Sequence, residues 1–155
     1  MRITMWLMLF VLTLSPLAMA QTADPISVSG EGYVGVIFLD SRPYEWDSGQ
    51  VVPVWEVTAD DVATLEAALP AFLAGSDHPG IDSIMPRLAE YARQYVGVEI
   101  DGEQRVFVNF FCDPDRFENW RSEPVVVDDG GACYFQLEFV PATGAFVRFT
   151  VNGVA

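Results

Sequence analysis

The sequence ARQYVGVEIDGEQRVFVNFFC, residues 92–112, consists of two alternating runs on either side of Asp101-Gly102. An Asp-Gly pair readily adopts the positive φ angles of a two-residue hairpin turn. Alternation with a period of two is typical of a strand with one buried face. The stretch therefore predicts two antiparallel strands, at residues 92–100 and 104–112.

Three more strands are predicted towards the C-terminus, at residues 124–128, 133–140 and 145–151. The last two flank the turn residues Pro141-Ala142-Thr143-Gly144, which suit a four-residue hairpin loop. The chain has no internal repeat and no linker long enough to separate two units. We expect residues 21–155 to form a single domain.

The clearest helix signal is at Thr58, where Asp61 follows three residues later and completes a capping box. An apolar stripe at helical spacing follows the cap and consists of Val62, Leu65, Leu69 and Phe72. Pro70 lacks a backbone N–H, so we expect it to kink or end the helix near Leu69.

The segments around this helix carry weaker signals. Residues 21–32 are polar and predict a loose leader, and residues 33–39 predict a strand. Residues 41–49 have turn composition, and residues 50–57 predict an edge strand because of Pro53. A second helical segment is predicted from Asp82 or Ser83 towards Tyr91.

Alternation sorts the strand side chains onto two faces. The face expected to pack against the helix, which we call the helix face, is apolar and collects Val106, Val108, Phe110, Cys112, Cys133, Phe135, Leu137, Phe139, Val147, Phe149 and Val151. The opposite face, which we call the mixed face, is expected to carry Tyr91, Arg93, Tyr95, Arg105, Phe107, Asn109, Phe111, Tyr134, Gln136, Glu138, Phe146, Arg148, Thr150 and Asn152. The mixed face is interpreted either as an ordinary solvated surface or as a binding surface.

The only two cysteines, Cys112 and Cys133, fall on the helix face at one edge of two neighbouring antiparallel strands. In an exported protein this placement favours a disulfide. A redox pair is the alternative, but the chain has no Cys-x-x-Cys motif.

The first twenty residues resemble a signal peptide. Arg2 precedes an apolar run at residues 5–14, and Ala18-Met19-Ala20 fits a cleavage site. The run is too short to span a bilayer as a helix. We expect a secreted or periplasmic protein that begins at Gln21 and keeps no membrane anchor.

Charge excludes some classes of partner. The 155 residues include 22 acidic side chains, eight arginines and no lysine, and the net charge is −14. Nucleic acids and anionic membranes need clustered cations. We therefore expect neither as a partner.

Motifs of catalysis are absent from the sequence. His78 is the single histidine, and a solvated loop residue is its favoured interpretation over a base or metal ligand. Acids flank both cysteines, at Asp113, Asp115, Asp128 and Asp129, and calcium binding there is a weaker alternative to solvated turns. We expect no cofactor, no metal and no catalytic residue.

Several phrases resemble a group of small exported bacterial proteins of uncharacterised activity. They include Asn109-Phe110-Phe111-Cys112, Asp129-Gly130-Gly131 with Cys133-Tyr134-Phe135, and the closing Asn152-Gly153. The order of a helix followed by a meander also resembles the cystatin-like arrangement. This resemblance implies a fold but no activity.

These observations predict an α+β domain with one main helix packed on a four- or five-stranded antiparallel sheet, as in a cystatin-like roll. The first functional hypothesis is a non-catalytic binding or interaction module for a protein or a small anionic ligand. The alternatives are an enzyme with an unrecognised site and a calcium-stabilised structural module. The expected ligand-binding residues are Arg93, Asn109, Gln136, Glu138 and Arg148.

Overall fold

The computed structural model describes residues 23–154, which form an α+β domain built on one mixed sheet. Its strands are β1 (Ile26–Gly30), β2 (Tyr33–Phe38), β3 (Val54–Trp55), β4 (Ala92–Ile100), β5 (Glu103–Phe111), β6 (Tyr134–Val140) and β7 (Ala145–Val151). Six of them follow the order β1-β2-β4-β5-β6-β7, and the two-residue β3 pairs with the end of β4. The signal-peptide prediction, residues 1–20, lies outside the described residues.

The predicted sheet is wrong in strand number and in one pairing. It has six main strands, and β2 runs parallel to β4 while the other pairs are antiparallel. A parallel pair needs a long crossover. Residues 39–91 provide it, and the helices α1 (Arg42–Ser48), α2 (Ala59–Ala74) and α3 (Ile81–Ile84) lie within it.

The loose leader predicted at residues 21–32 is wrong for its second half, because β1 pairs with β2 along its whole length. A two-residue turn joins the two strands, and Gly32 there has a φ of 77°. β1 is largely exposed. Ile26 and Val28 alternate with serines, but this apolar alternation covers only two residues, and the strand is held mainly by its backbone pairing with β2.

The loop predicted at residues 41–49 is also wrong, because it contains α1. A proline in the first turn and Gly49 in the left-handed region mark the two ends of this helix. The edge strand predicted at residues 50–57 is reduced to β3.

The capping box of α2 is confirmed. Thr58 Oγ1 accepts a hydrogen bond from the Asp61 N–H at 3.2 Å, and the Asp61 carboxylate accepts one from the Thr58 N–H at 2.9 Å. Of the two effects expected of Pro70, an end of the helix near Leu69 is wrong, since the helix continues to Ala74, and a kink stays a prediction. Leu69 and Leu73 on either side of the exposed proline are fully buried against the sheet. Each such side chain contributes about 1.5–3 kcal/mol, which offsets the missing backbone bond.

The predicted C-terminal strands form as expected except at residues 124–128, which are irregular. The β4–β5 turn is confirmed, with φ angles of 53° at Asp101 and 79° at Gly102. The second helical segment forms over residues 81–90, close to the predicted range, as α3 followed by a 3-10 helix, Met85–Glu90.

The sheet is covered on both faces. On the helix face α2 buries its leucines against Val106, Val108, Phe110, Phe135, Leu137 and Phe139. On the mixed face α1 and the segment after β5 bury Val36, Phe38, Tyr44, Val96, Phe107, Phe111, Trp120 and Val125.

The predicted faces are wrong at the start of β4 and at the start of β7. Arg93 lies opposite Phe110 and Tyr95 opposite Val108, so both lie on the helix face, as does Tyr91, and Gln94 takes the mixed face. A bulge opposite Glu138 and Phe139 pairs Phe146 with Phe139. Phe146 therefore stacks on Phe72 of α2, and Val147 is half exposed.

The Cys112–Cys133 disulfide is confirmed, with the two Cα atoms 5.0 Å apart. It closes the segment between β5 and β6, which crosses the mixed face. Among residues 23–154, no helix is both long and apolar enough to cross a bilayer.

Candidate functional site

A row of amide side chains crosses the mixed face from β4 to the end of β7. Gln94 lies opposite Asn109, and Asn109 lies opposite Gln136. Asn109 Nδ2 donates to Gln94 Oε1 at 3.4 Å, and Gln136 Nε2 donates to Asn109 Oδ1 and to Asn152 Oδ1, both at 3.2 Å. We call these four residues the amide row.

The amide row holds the backbone of residues 120–129 onto the sheet. Gln94 Nε2 donates to the carbonyls of Trp120 at 2.6 Å and Glu123 at 2.8 Å, and Gln94 Oε1 accepts from the Val125 N–H at 2.8 Å. Asn109 Nδ2 donates to the Val125 carbonyl at 2.8 Å, and Asn152 Nδ2 donates to the Val127 carbonyl. These amides therefore fix an otherwise irregular segment in place.

Beside the amide row, Glu138 lies between two arginines. Its carboxylate is 2.8 Å from Arg105 Nη1 and 3.3 Å from Arg148 Nη1, and its side chain is 4% exposed. Arg148 Nη1 also lies 2.8 Å from Asp47 Oδ2 on α1. Burial acts to lower the pKa of Arg148, but the charges of Asp47 and Glu138 outweigh it and raise the pKa overall.

A groove of about 370 Å³ opens on the mixed face between three walls. Residues of α1 form one wall, residues 125–128 form the second, and the end of β7 with residues 152–153 forms the third. Of the five expected ligand-binding residues, Asn109, Gln136 and Arg148 line it. Trp46 on α1 also lines it and is 54% exposed.

Arg93 does not belong to this site. It is 1% exposed and lies under α2, where its Nε is 2.9 Å from Glu66 Oε1. Its Nη2 donates to the carbonyls of Leu88 at 3.1 Å and Gly32 at 3.3 Å. The expected convergence of Arg93 with Arg148 is therefore wrong, because the sheet separates them.

The carboxylate partner of Arg93 is held by a third group, since Tyr95 Oη donates to Glu66 Oε1 at 2.7 Å. Burial raises the pKa of Glu66, while the charge of Arg93 and the tyrosine bond lower it only in part. Burial also raises the pKa of Tyr95 far above its ordinary value. The cluster ties α2 to the sheet.

His78 lies on the other side of the sheet from the groove and is half-buried rather than solvated. Its Nδ1 accepts from the Gly80 N–H at 3.0 Å, and its ring meets Phe149 edge-on at 5.4 Å. Among residues 23–154, no three histidine, cysteine or acidic side chains come together to hold a metal ion.

Comparison of the chain with known protein families, curated proteins and solved structures gives no match. The resemblance around Asn109-Phe110-Phe111-Cys112 and the cystatin-like element order stay predictions. The site itself is therefore the basis for a functional proposal.

Sequence reasoning missed three residues of the site. The prediction assigns Arg93 and Tyr95 to the mixed face and so leaves out Gln94, and Trp46 and Asp47 fall in the segment expected to be a loop. The signals for α1 were present in its proline and Gly49, but seven residues are too few to show a helical period.

Proposed function

We propose that this protein is an exported, non-catalytic binding module that takes its partner in the groove of the mixed face. The observation that carries this proposal is the exposed Trp46 beside a groove of about 370 Å³. Binding sites favour exposed aromatic side chains next to a few fixed polar groups.

The amide row supports a binding role because it makes the wall of the groove rigid. The 125–128 wall is held by direct side-chain bonds from Asn109 and Gln94, and the disulfide closes the same segment at its ends. A fixed wall loses little conformational entropy when a partner binds.

The charge around the groove favours a polypeptide partner over a small anion. Arg148 is the arginine that lines the groove, and both Asp47 and Glu138 already neutralise it. An anion would have to displace one of these carboxylates, whereas a peptide backbone needs only hydrogen bonds.

Photo-crosslinking in the cells that produce the protein tests this proposal. Val126 lines the groove and is 48% exposed, and Val54 is 45% exposed on β3 near the other edge of the sheet. We expect a photo-reactive residue at 126 to capture a defined partner and the same residue at 54 to capture none. Capture at 54 but not at 126 would show that the partner uses another surface.

Export is the second part of the proposal. The disulfide and the finding that no helix of residues 23–154 could cross a bilayer are compatible with an oxidising, extracytoplasmic compartment. The intact mass of protein recovered outside the cytoplasm should match residues 21–155, with allowance for cyclised Gln21. A product that keeps residues 1–20 would contradict this.

A further inference from the structure

We propose that the partner of the groove is an extended basic peptide, whose lysine or arginine side chain lies against Trp46 while its backbone follows the edge of β7. This inference rests on the proposed binding function and names the chemistry of the ligand.

The first support is charge. Residues 23–154 contain seven arginines and 22 acidic side chains, a net charge of −15. Five of the arginines are within ion-pair distance of carboxylates of the same chain. The surface is therefore left with excess negative charge, which attracts a cationic partner and raises its rate of association.

The groove itself also carries excess negative charge. Asp47 and Asp128 line it together with Arg148, and Glu138 lies directly behind Arg148. Asp128 makes no ion pair within the described part of the chain. Arg148 already forms ion pairs with Asp47 and Glu138, so a guanidinium group fits among these carboxylates.

The second support is Trp46. An indole face attracts ammonium and guanidinium groups more strongly than other aromatic rings do. The chain contains its own example on the same face of the sheet, where the Arg121 guanidinium lies 4.2 Å from the Trp120 ring. Trp46 lines the groove with about half of its surface exposed, next in sequence to Asp47.

The third support is the edge of β7. This strand pairs only with β6, and no strand among residues 23–154 covers its outer side. The Asn152 N–H bonds to the Tyr134 carbonyl of β6, so by alternation the backbone groups of Phe149 and Val151 point outward. An extended peptide can pair with such an edge.

The bulge at the start of β7 limits this pairing. Because the register shifts opposite Glu138 and Phe139, the regular edge is confined to the last residues of β7, beside the groove. The occupant is therefore a short extended segment rather than a long added strand, and the bulge disfavours association of β7 with a second copy.

The experiment uses the oxidised, signal-free protein and three capped pentapeptides, Val-X-Val-X-Val, in which X is Lys, Gln or Glu. Titrations are followed by the indole signal of Trp46 and the backbone amide signal of Val151 in nitrogen–proton NMR spectra. We expect the Lys peptide to shift both signals at millimolar concentration or below. Its affinity should fall several-fold when salt rises from about 0.01 to 0.15 M, because the charges are partly exposed.

Variants separate the contacts. Trp46→Ala should weaken the Lys peptide about three- to thirtyfold, and Trp46→Phe should recover part of the loss. Asp128→Asn should weaken it about two- to fivefold, whereas Asp77→Asn, an exposed carboxylate beyond the other face of the sheet, should not. Arg148→Gln removes a competing cation and should strengthen binding several-fold.

The outcomes distinguish the inference from the proposed function. If the Glu peptide binds at the groove and the Lys peptide does not, the basic ligand is wrong while the groove stays a binding site. If neither peptide shifts the two signals although crosslinking at residue 126 succeeds, the basic extended ligand is again wrong. If crosslinking at residue 126 also fails, the proposed function falls with it.

Discussion

Nε of Arg93 lies 2.9 Å from Oε1 of Glu66, and both side chains are buried between α2 and the sheet. The Arg93 N–H does not point along this line, and Nε makes no hydrogen bond within residues 23–154. The pair is therefore held by charge, and the Nη groups of Arg93 supply the hydrogen bonds, to backbone carbonyls. Buried charges placed in this way make the stability of the domain depend on keeping both partners.

Arg93→Met should destabilise the domain strongly. It leaves the Glu66 carboxylate buried without a positive partner, and breaking such a pair costs about 3–5 kcal/mol. The double variant Glu66→Leu with Arg93→Met removes both charges, so it should lose less than Arg93→Met alone. Urea denaturation with the disulfide intact measures both. If the double variant loses as much stability as Arg93→Met and Glu66→Leu lose separately when added together, the two residues are not coupled.

Glu66 should make stability fall as pH rises. Its ordinary pKa is 4.5, and burial raises the pKa in the folded protein. Between these two values the folded protein keeps a proton that the unfolded chain has released, so the free energy of unfolding decreases with increasing pH. Glu66→Gln removes this contribution and leaves the other carboxylates unchanged.

The measurement is the free energy of unfolding of both proteins from pH 4 to 8. We expect the wild type to lose stability relative to Glu66→Gln as pH rises above about 4.5. The opposite slope would mean that attraction to Arg93 outweighs the cost of burial.

Gln94→Ala should release residues 120–129 from the sheet. Gln94 is fully buried and makes two bonds to backbone carbonyls and one to the Val125 N–H. Groups left buried without partners cost about 1–3 kcal/mol each, and we expect a total loss of about 2–4 kcal/mol after partial rehydration.

Limited proteolysis detects the release, because cleavage within residues 113–132 should become faster in Gln94→Ala. The matched control is Gln104→Ala, since Gln104 is exposed on β5. Equal protection in both variants would show that the disulfide alone holds the segment.

Removing the disulfide should lower stability moderately. Cys112 and Cys133 are 21 residues apart in sequence, and closing a loop of this size contributes about 3 kcal/mol in the chain-entropy model. For a domain of this size the melting temperature should fall by about 6–12 °C in the Cys112→Ser, Cys133→Ser variant. Two freely alkylated thiols in native, air-handled protein would contradict the bond itself.

Local sequence was enough to predict those elements that depend on residues close together in the chain. The Asp101-Gly102 turn, the Thr58 capping box and the strands β4, β5, β6 and β7 follow from turn chemistry and period, and each forms as predicted or within one residue. The cysteine pairing also follows, because it needs only the order of two adjacent antiparallel strands.

The two-residue turn at Asp101-Gly102 already pairs Arg93 with Phe110 and so places Arg93 on the helix face, but only the tertiary structure shows how a charged side chain is accommodated there. The first seven residues of this strand are buried on both sides, so alternation of burial carries no signal there, and the charge of Arg93 favours the mixed face in the sequence prediction. Arg93 can be buried under α2 because this helix brings Glu66, which is distant in sequence, to within 2.9 Å of it. Gln94 then faces the backbone of residues 120–125, and the amide row results.

The groove likewise exists only in three dimensions. Trp46 on α1, Asp128 after β5 and Thr150 on β7 line one groove, although each lies in a different part of the chain. Sequence alone places Asn109, Gln136 and Arg148 on a common surface because period two holds along β5, β6 and the part of β7 after its bulge. What covers that surface depends on long-range packing and on the parallel pairing of β2 with β4, for which no local period gives a signal.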